Sequence, residues 1–296
     1  MTYRLLFILL LSLSINVTFA QIEKRLALVI GNNEYSKQKL NNAVNDASCV
    51  AAKLKTLGFD VMLHKNTKLD SLAIVINDFT DKASDYEVVL FFYAGHAVQC
   101  KGINYLIPIN NEGIKKENDI RFYSEDVNRL LTRLEESTCK LKIIILDACR
   151  NNPYSMERTL AYDGLALMNA PVGTLISFST SPGCKAKDSF GSHNSPYTTA
   201  FLQILNKENL DLLNFFNEVG MLVSSNTDGE QIPWISNCPI NGKFVFNKSI
   251  PSVINNNSVL SNNSDNSYIL KSSHFDDNVD YVINQDTNSI SKNSCP

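Results

Sequence analysis

Residues 142–153 read Lys142-Ile143-Ile144-Ile145-Leu146-Asp147-Ala148-Cys149-Arg150-Asn151-Asn152-Pro153. An unbroken Ile-rich run closed by polar residues and proline is the pattern of a strand buried on both faces, as inside a parallel sheet. Such a strand delivers its last residues to the carboxyl edge of the sheet, where open α/β folds place ligands and chemistry. Here that edge receives a thiol flanked by Asp147 and Arg150, and Cys149 is the candidate nucleophile.

A nucleophilic thiol needs a base brought alongside it. A second aromatic and β-branched run, Glu87 to Tyr93, ends in Ala94-Gly95-His96-Ala97. The separation 149 − 96 = 53 residues accommodates a crossover helix, which makes the two strands parallel and brings both carboxyl ends to one edge. Taken singly, Cys149 reads equally as a structural thiol and His96 as a satisfied loop histidine. Their joint placement at two strand ends favours chemistry. His64 and His193 are weaker bases, the first after an early strand and the second in a polar loop.

Tyr93-Ala94-Gly95-His96 and Leu146-Asp147-Ala148-Cys149-Arg150, in that order, resemble the caspase-like cysteine peptidases, whose His lies about 50 residues before the Cys. Asp147, two residues before the Cys, and the lack of a His-Ser-Gly after it are more similar to paracaspases and bacterial orthocaspases than to caspases or plant-type metacaspases. The resemblance runs from about Arg25 to Phe246. It implies an α/β three-layer sandwich, a mostly parallel six-stranded sheet with helices on both faces. Its large-subunit part spans about 25–153 and its small-subunit part about 164–248, within a peptidase domain over 21–250.

Outside that span the chain changes character. Arg4, the apolar run Leu5 to Leu13 and Thr18-Phe19-Ala20 read as a signal peptide over 1–20 with a small-x-small cleavage site. An uncleaved anchor is the competing reading. The mature chain is expected to be exported, periplasmic or secreted, with no stable membrane association after signal removal. Residues 251–296 hold ten Asn and ten Ser, a composition that buries too little apolar surface to offset chain entropy, so a disordered tail is expected.

With 27 basic and 30 acidic residues, the net charge of −3 implies neither a nucleic-acid partner nor a membrane-surface one. Metal-ligand spacing such as HExxH, a Walker A loop and a GxSxG elbow are absent, so neither a metal nor a cofactor is expected. Seven cysteines show no CxxC pair and no framework, so no bridge is expected, and Cys49 and Cys139 read as small core residues.

The remaining elements follow from periodicity and turn residues. Strands are expected at Arg25–Ile30, Phe59–Leu63 and Gly173–Phe178, with the last at Lys243–Phe246. Helices are expected at 42–57, 69–79, 124–135 with Ser124 as cap, 196–205 and 210–224; a hairpin joins Ala97–Gln99 to Tyr105–Pro108. The loop from Tyr35 to Leu40 emerges at the edge that carries Cys149. Residues 154–163 form an exposed loop that caspase-like enzymes often cut, here with Arg158 as a basic cleavage point.

The chemistry follows from amide hydrolysis. A thiol of pKa ~8.5 is little ionised at neutral pH, so His96 takes its proton or pairs with its thiolate. The backbone N–H groups of Gly95 and Cys149 form the oxyanion hole, donors worth ~3 kcal/mol each in related chemistry. Asp147, with Asp46 and Asp188, makes an acidic pocket that suits Arg, then Lys, of a peptide or protein substrate.

Asp46 also reads as an ordinary first-turn acid; the resemblance aligns its segment with the pocket Asp of paracaspases. Lys185 departs from that pattern, standing where the paracaspase match carries an acid. Trp234 reads either as a subsite wall or as a packed edge aromatic. Two other functions compete: a catalytically silent caspase-like binding scaffold, and a flavodoxin-like small-molecule binder. A homodimer is left open.

Overall fold

A computed structural model describes residues 23–148, 164–182, 184, 186 and 193–249. All belong to one unit that ends at Ser249. The segments read as signal peptide, cleavable loop and tail, together with Cys149, Lys185 and Asp188, lie outside the described residues.

The sheet is built from β1 (Arg25–Gly31), β2 (Phe59–Lys65), β3 (Val88–Ala94), β7 (Leu141–Asp147), β8 (Thr174–Phe178) and β9 (Trp234–Asn237). Their spatial order is β2-β1-β3-β7-β8-β9, parallel throughout except that β9 runs antiparallel to β8. Every residue of β1, β3 and β7 is buried, which is why these strands read as continuous apolar runs rather than alternating ones.

The pleat still sorts side chains between two layers. Ala27, Val29, Leu90, Phe92, Ile143 and Ile145 face one cluster, with residues of α1 (Ala43–Thr56), α5 (Pro196–Ile204) and α6 (Leu212–Asn226). Leu28, Ile30, Phe91, Tyr93, Ile144 and Leu146 face the other, with α2 (Leu69–Lys82) and α4 (Val127–Glu135). Truncating any of these leucines or isoleucines to alanine costs about 2–5 kcal/mol.

Between β3 and β7, β4 (Ala97–Cys100) and β5 (Ile103–Leu106) form the expected antiparallel hairpin, to which the two-residue β6 (Glu125–Asp126) adds a third strand. A short helix, α3 (Ile120–Tyr123), precedes β6. The crossover helix exists, but its cap is Asp126, whose side chain accepts from Asn128 N–H at 2.8 Å. Ser124 instead donates its hydroxyl to the Ile120 carbonyl. Pairing of Glu125-Asp126 with β5 moves the cap by two residues, a tertiary effect invisible in the local sequence.

The final strand is β9 and not Lys243–Phe246. The reason is Arg25, buried at the start of β1, whose guanidinium donates to the carbonyls of Phe246 (2.9 Å) and Val245 (3.0 Å). It also lies over the rings of Phe59 and Phe244. Val245 makes only an isolated bridge, with Asp211. A guanidinium and an aromatic cluster hold this segment in place of a ladder.

Cys139 is a buried free thiol as expected. Cys49 is buried too but is disulfide-bonded, contrary to the expectation of no bridge; its partner is not among the described cysteines. Irregular spacing gave no signal for that pairing.

Candidate active site

The β3–β7 register sets the site. Ala94 pairs with Asp147, so the chain leaves both strands at the same level of one edge. His96 follows two residues after Ala94, and Cys149 follows two residues after Asp147.

His96 is buried and held at three points. Its Nε2 lies 2.6 Å from the Gln38 carbonyl oxygen. A carbonyl only accepts, so this contact assigns the proton to Nε2 and makes Nδ1 the basic nitrogen of the neutral ring. The backbone N–H donates to Tyr35 Oη at 2.7 Å, and the two rings lie 4.4 Å apart at a tilt of 49°. The His96 carbonyl accepts from Ile107 N–H at 3.0 Å and lies 3.0 Å from Tyr93 Oη. Burial raises the Tyr93 phenol well above its usual range, so it stays a neutral donor.

Gly95 sits where nothing larger fits. A Cβ there would lie 2.5 Å from Tyr35 Oη and 2.9 Å from Tyr93 Oη. The two phenols that brace His96 thus exclude a side chain beside it. Gln38 has φ +59°, a left-handed backbone that side chains disfavour by about 1–2 kcal/mol. Its loop is fixed by neighbouring bonds: Ser36 N–H to the Ile109 carbonyl (2.9 Å), Lys37 N–H to Asn111 Oδ1 (3.1 Å) and Leu40 N–H to the Asn33 carbonyl (3.0 Å).

Asp46 and Asp147, expected to share a pocket, converge on the first turn of α5. Asp46 Oδ1 accepts from Asn194 Nδ2 (2.8 Å) and from Ser195 N–H (2.9 Å). Asp147 Oδ2 accepts from the hydroxyls of Ser195 (2.5 Å) and Thr198 (2.8 Å). Both residues are buried, at 2 % and 9 % exposure. Amide and hydroxyl donors and the positive end of α5 thus meet both carboxylates, the partners that a buried carboxylate needs. Asp46 also lies in the first turn of α1, so the ordinary first-turn placement holds together with the long-range one.

Ser179 lies beside Asp147. Its N–H donates to the Leu146 carbonyl (3.0 Å), extending the β7–β8 ladder one step, and its Oγ is buried with no hydrogen-bond partner among the described residues. His64 lies on β2, where burial lowers its pKa while Asp78 pulls the other way. His193 is exposed, with its carbonyl accepting from Asn45. Trp234 starts the edge strand β9 and is 45 % exposed.

Sequence reasoning missed Tyr35, Gln38 and Tyr93 as supports of His96, and Asn194, Ser195 and Thr198 as partners of the carboxylates. Ser195-Pro196 carried a readable signal, a cap residue followed by proline at the first helical position. Gln38 carried none, because it acts through its backbone.

A mostly parallel six-stranded sheet, helices on both faces and a histidine at the end of β3 define a caspase-like α/β fold. The model of the caspase domain, Peptidase_C14, matches residues 24–245. The chain belongs to this family of cysteine peptidases. Membership implies protein substrates. In fold it is similar to the crystal structure of protein GSU0716 from Geobacter sulfurreducens. The TM-score is 0.54 and identity 15%, over 74% of this chain and 95% of that one. No curated protein matches the chain.

Proposed function

We propose that the chain is an exported endopeptidase that cleaves after arginine, and less readily after lysine, through a His96–Cys149 dyad and an acyl-enzyme. The observation that carries this reading is the β3–β7 register, which sends Ala94 and Asp147 to one level of one edge, two residues short of His96 and Cys149. The kinship to paracaspases and orthocaspases in the two strand-end motifs supports the basic specificity.

His96 Nδ1 accepts the Cys149 proton, and the thiolate sulfur attacks the substrate carbonyl carbon. The carbonyl π electrons move to oxygen, which the N–H groups of Gly95 and Cys149 receive. Collapse expels the amine, to which His96 returns the proton, leaving a thioester. His96 then takes a proton from water, hydroxide equivalent adds to the thioester, and the carboxylic acid leaves as the thiol reforms. The Gln38 carbonyl supports the imidazolium present between these transfers.

Asp46 and Asp147 supply two negative charges for the substrate cation, and Asp188 is proposed as a third. The loop at 154–163 is the proposed site of self-cleavage, after Arg158. Export rests on the signal-like residues 1–20 and the small-x-small site at Thr18-Phe19-Ala20.

The test compares fluorogenic peptides ending in Arg, Lys and Asp, with wild type and Cys149→Ala. Arg is expected to exceed Lys, Asp to be inert, and the variant to lose at least about a thousandfold in kcat/KM. Preference for Asp would reverse the pocket assignment. Absence of hydrolysis, with no labelling of Cys149 by an Arg-ended thiol-reactive peptide, would reject the enzyme reading.

A further inference from the structure

We infer that Ser195 is a positioning residue that gauges the separation of the two pocket carboxylates and so sets the preference for arginine. The inference rests on the reading of Asp46 and Asp147 as a pocket for a basic side chain. Ser195 is the only described residue bonded to both of them: its backbone N–H goes to Asp46 Oδ1 at 2.9 Å and its hydroxyl to Asp147 Oδ2 at 2.5 Å. Those two donor atoms belong to one residue, so their spacing is fixed by covalent geometry and one χ1 angle. Two carboxylates contributed from different layers, one by α1 and one by β7, are thereby held at a set distance.

Ser195 is itself held. Its Oγ accepts from Thr198 N–H at 2.9 Å, the cap bond of α5. Its φ of −60° and ψ of 157° are the extended values that the following Pro196 favours. Thr198 adds a second hydroxyl to the same Asp147 oxygen, and Asn194 adds an amide to the same Asp46 oxygen. Asn194, the cap residue Ser195 and Thr198 of α5 thus supply four donors, two to each carboxylate. Two carboxylates bonded to one residue repel when both are charged, and the donors together with the helix N-terminus offset that repulsion. A guanidinium is planar and forked, so it gains from carboxylates at a fixed spacing more than a compact ammonium does. Loosening the gauge therefore lowers arginine hydrolysis more than lysine hydrolysis.

The experiment uses the full chain with peptides ending in Arg, Lys and norleucine, on wild type, Ser195→Gly and Ser195→Thr. Glycine keeps the N–H to Asp46 and is a tolerated cap, costing only a few tenths of a kcal/mol; it deletes the hydroxyl that reaches Asp147. The expected result for Ser195→Gly is a loss of about tenfold in kcat/KM on Arg peptides, carried mainly by KM, with a smaller loss on Lys peptides. Norleucine peptides should be unaffected, and Ser195→Thr should recover the Arg-to-Lys ratio. A role in capping alone would lower the melting temperature and leave that ratio unchanged, which would overturn the inference. Equal losses on all three peptides would overturn it as well. If wild type itself shows no preference for Arg or Lys over norleucine, the pocket reading fails, whatever Ser195 does.

Discussion

The Nε2 atom of His96 lies 2.6 Å from the backbone carbonyl of Gln38. The bond orients the ring and selects its tautomer through a residue whose side chain takes no part. The function of Gln38 therefore depends on a left-handed backbone, φ +59°, held by its loop. Gln38→Gly adopts that conformation without strain and should keep kcat near wild type. Gln38→Val is β-branched, resists positive φ by roughly 1–2 kcal/mol or more, and should lower kcat about tenfold. Steady-state kinetics with an Arg-ended peptide, beside a far-ultraviolet spectrum showing an intact fold, checks this; equal kcat for the two variants would contradict it.

Gly95→Ala puts a methyl 2.5 Å from Tyr35 Oη. Overpacking of this kind costs typically about 1–3 kcal/mol and displaces the backbone next to the histidine. We expect a lower urea midpoint and a large fall in kcat. Adding Tyr35→Phe removes the clashing oxygen, so the double variant should be more stable than additivity of the two singles predicts. Strict additivity would mean that Tyr35 is not what excludes a side chain at position 95.

Two serines one pleat repeat apart on β8 and just beyond it should respond oppositely to alanine. Ser177 Oγ lies 2.6 Å from the buried Tyr197 Oη, whose ionisation burial strongly opposes. Removing it strands a phenol hydroxyl and should destabilise by about 1–3 kcal/mol. Ser179 Oγ is buried without a partner among the described residues, so Ser179→Ala should be neutral or raise stability by up to about 1 kcal/mol, roughly 2–4 °C in Tm. A marked drop in Tm for Ser179→Ala would reveal a bond that this structure lacks.

Burial lowers the pKa of His64 from its ordinary 6.5, with Asp78 opposing. The unfolded chain then binds this proton before the folded one does as pH falls, so folded stability declines as pH drops through about 6.5 toward the lower folded value. His64→Gln cannot take up that proton and should show a shallower loss between about pH 7.5 and 5.5 in urea titrations. A parallel loss in both proteins would remove His64 as the source.

Much of this architecture was legible because a strand buried on both faces must be apolar throughout. The runs at Arg25, Val88 and Leu141 could therefore be read as strands, and the helical pattern between His96 and Cys149 as a crossover. Local reading failed where a distant group intervened. Asp126 displaced Ser124 as a cap once Glu125-Asp126 paired with β5. Phe246 left the sheet because Arg25 took its carbonyl.

The chain order of residues determined what this protein carries: a histidine and a cysteine each beyond a buried strand, acids near them, and a family that these motifs signal. Tertiary structure alone decided how they are held. The carbonyl of Gln38 and the phenol of Tyr35 reach His96 from a loop far from it in sequence, and the cap of α5 reaches Asp46 and Asp147 from farther still; the cap could be read locally, but its partners could not. Their effect exists only once close packing fixes distances to within a few tenths of an ångström, the scale on which a hydrogen bond is made or lost.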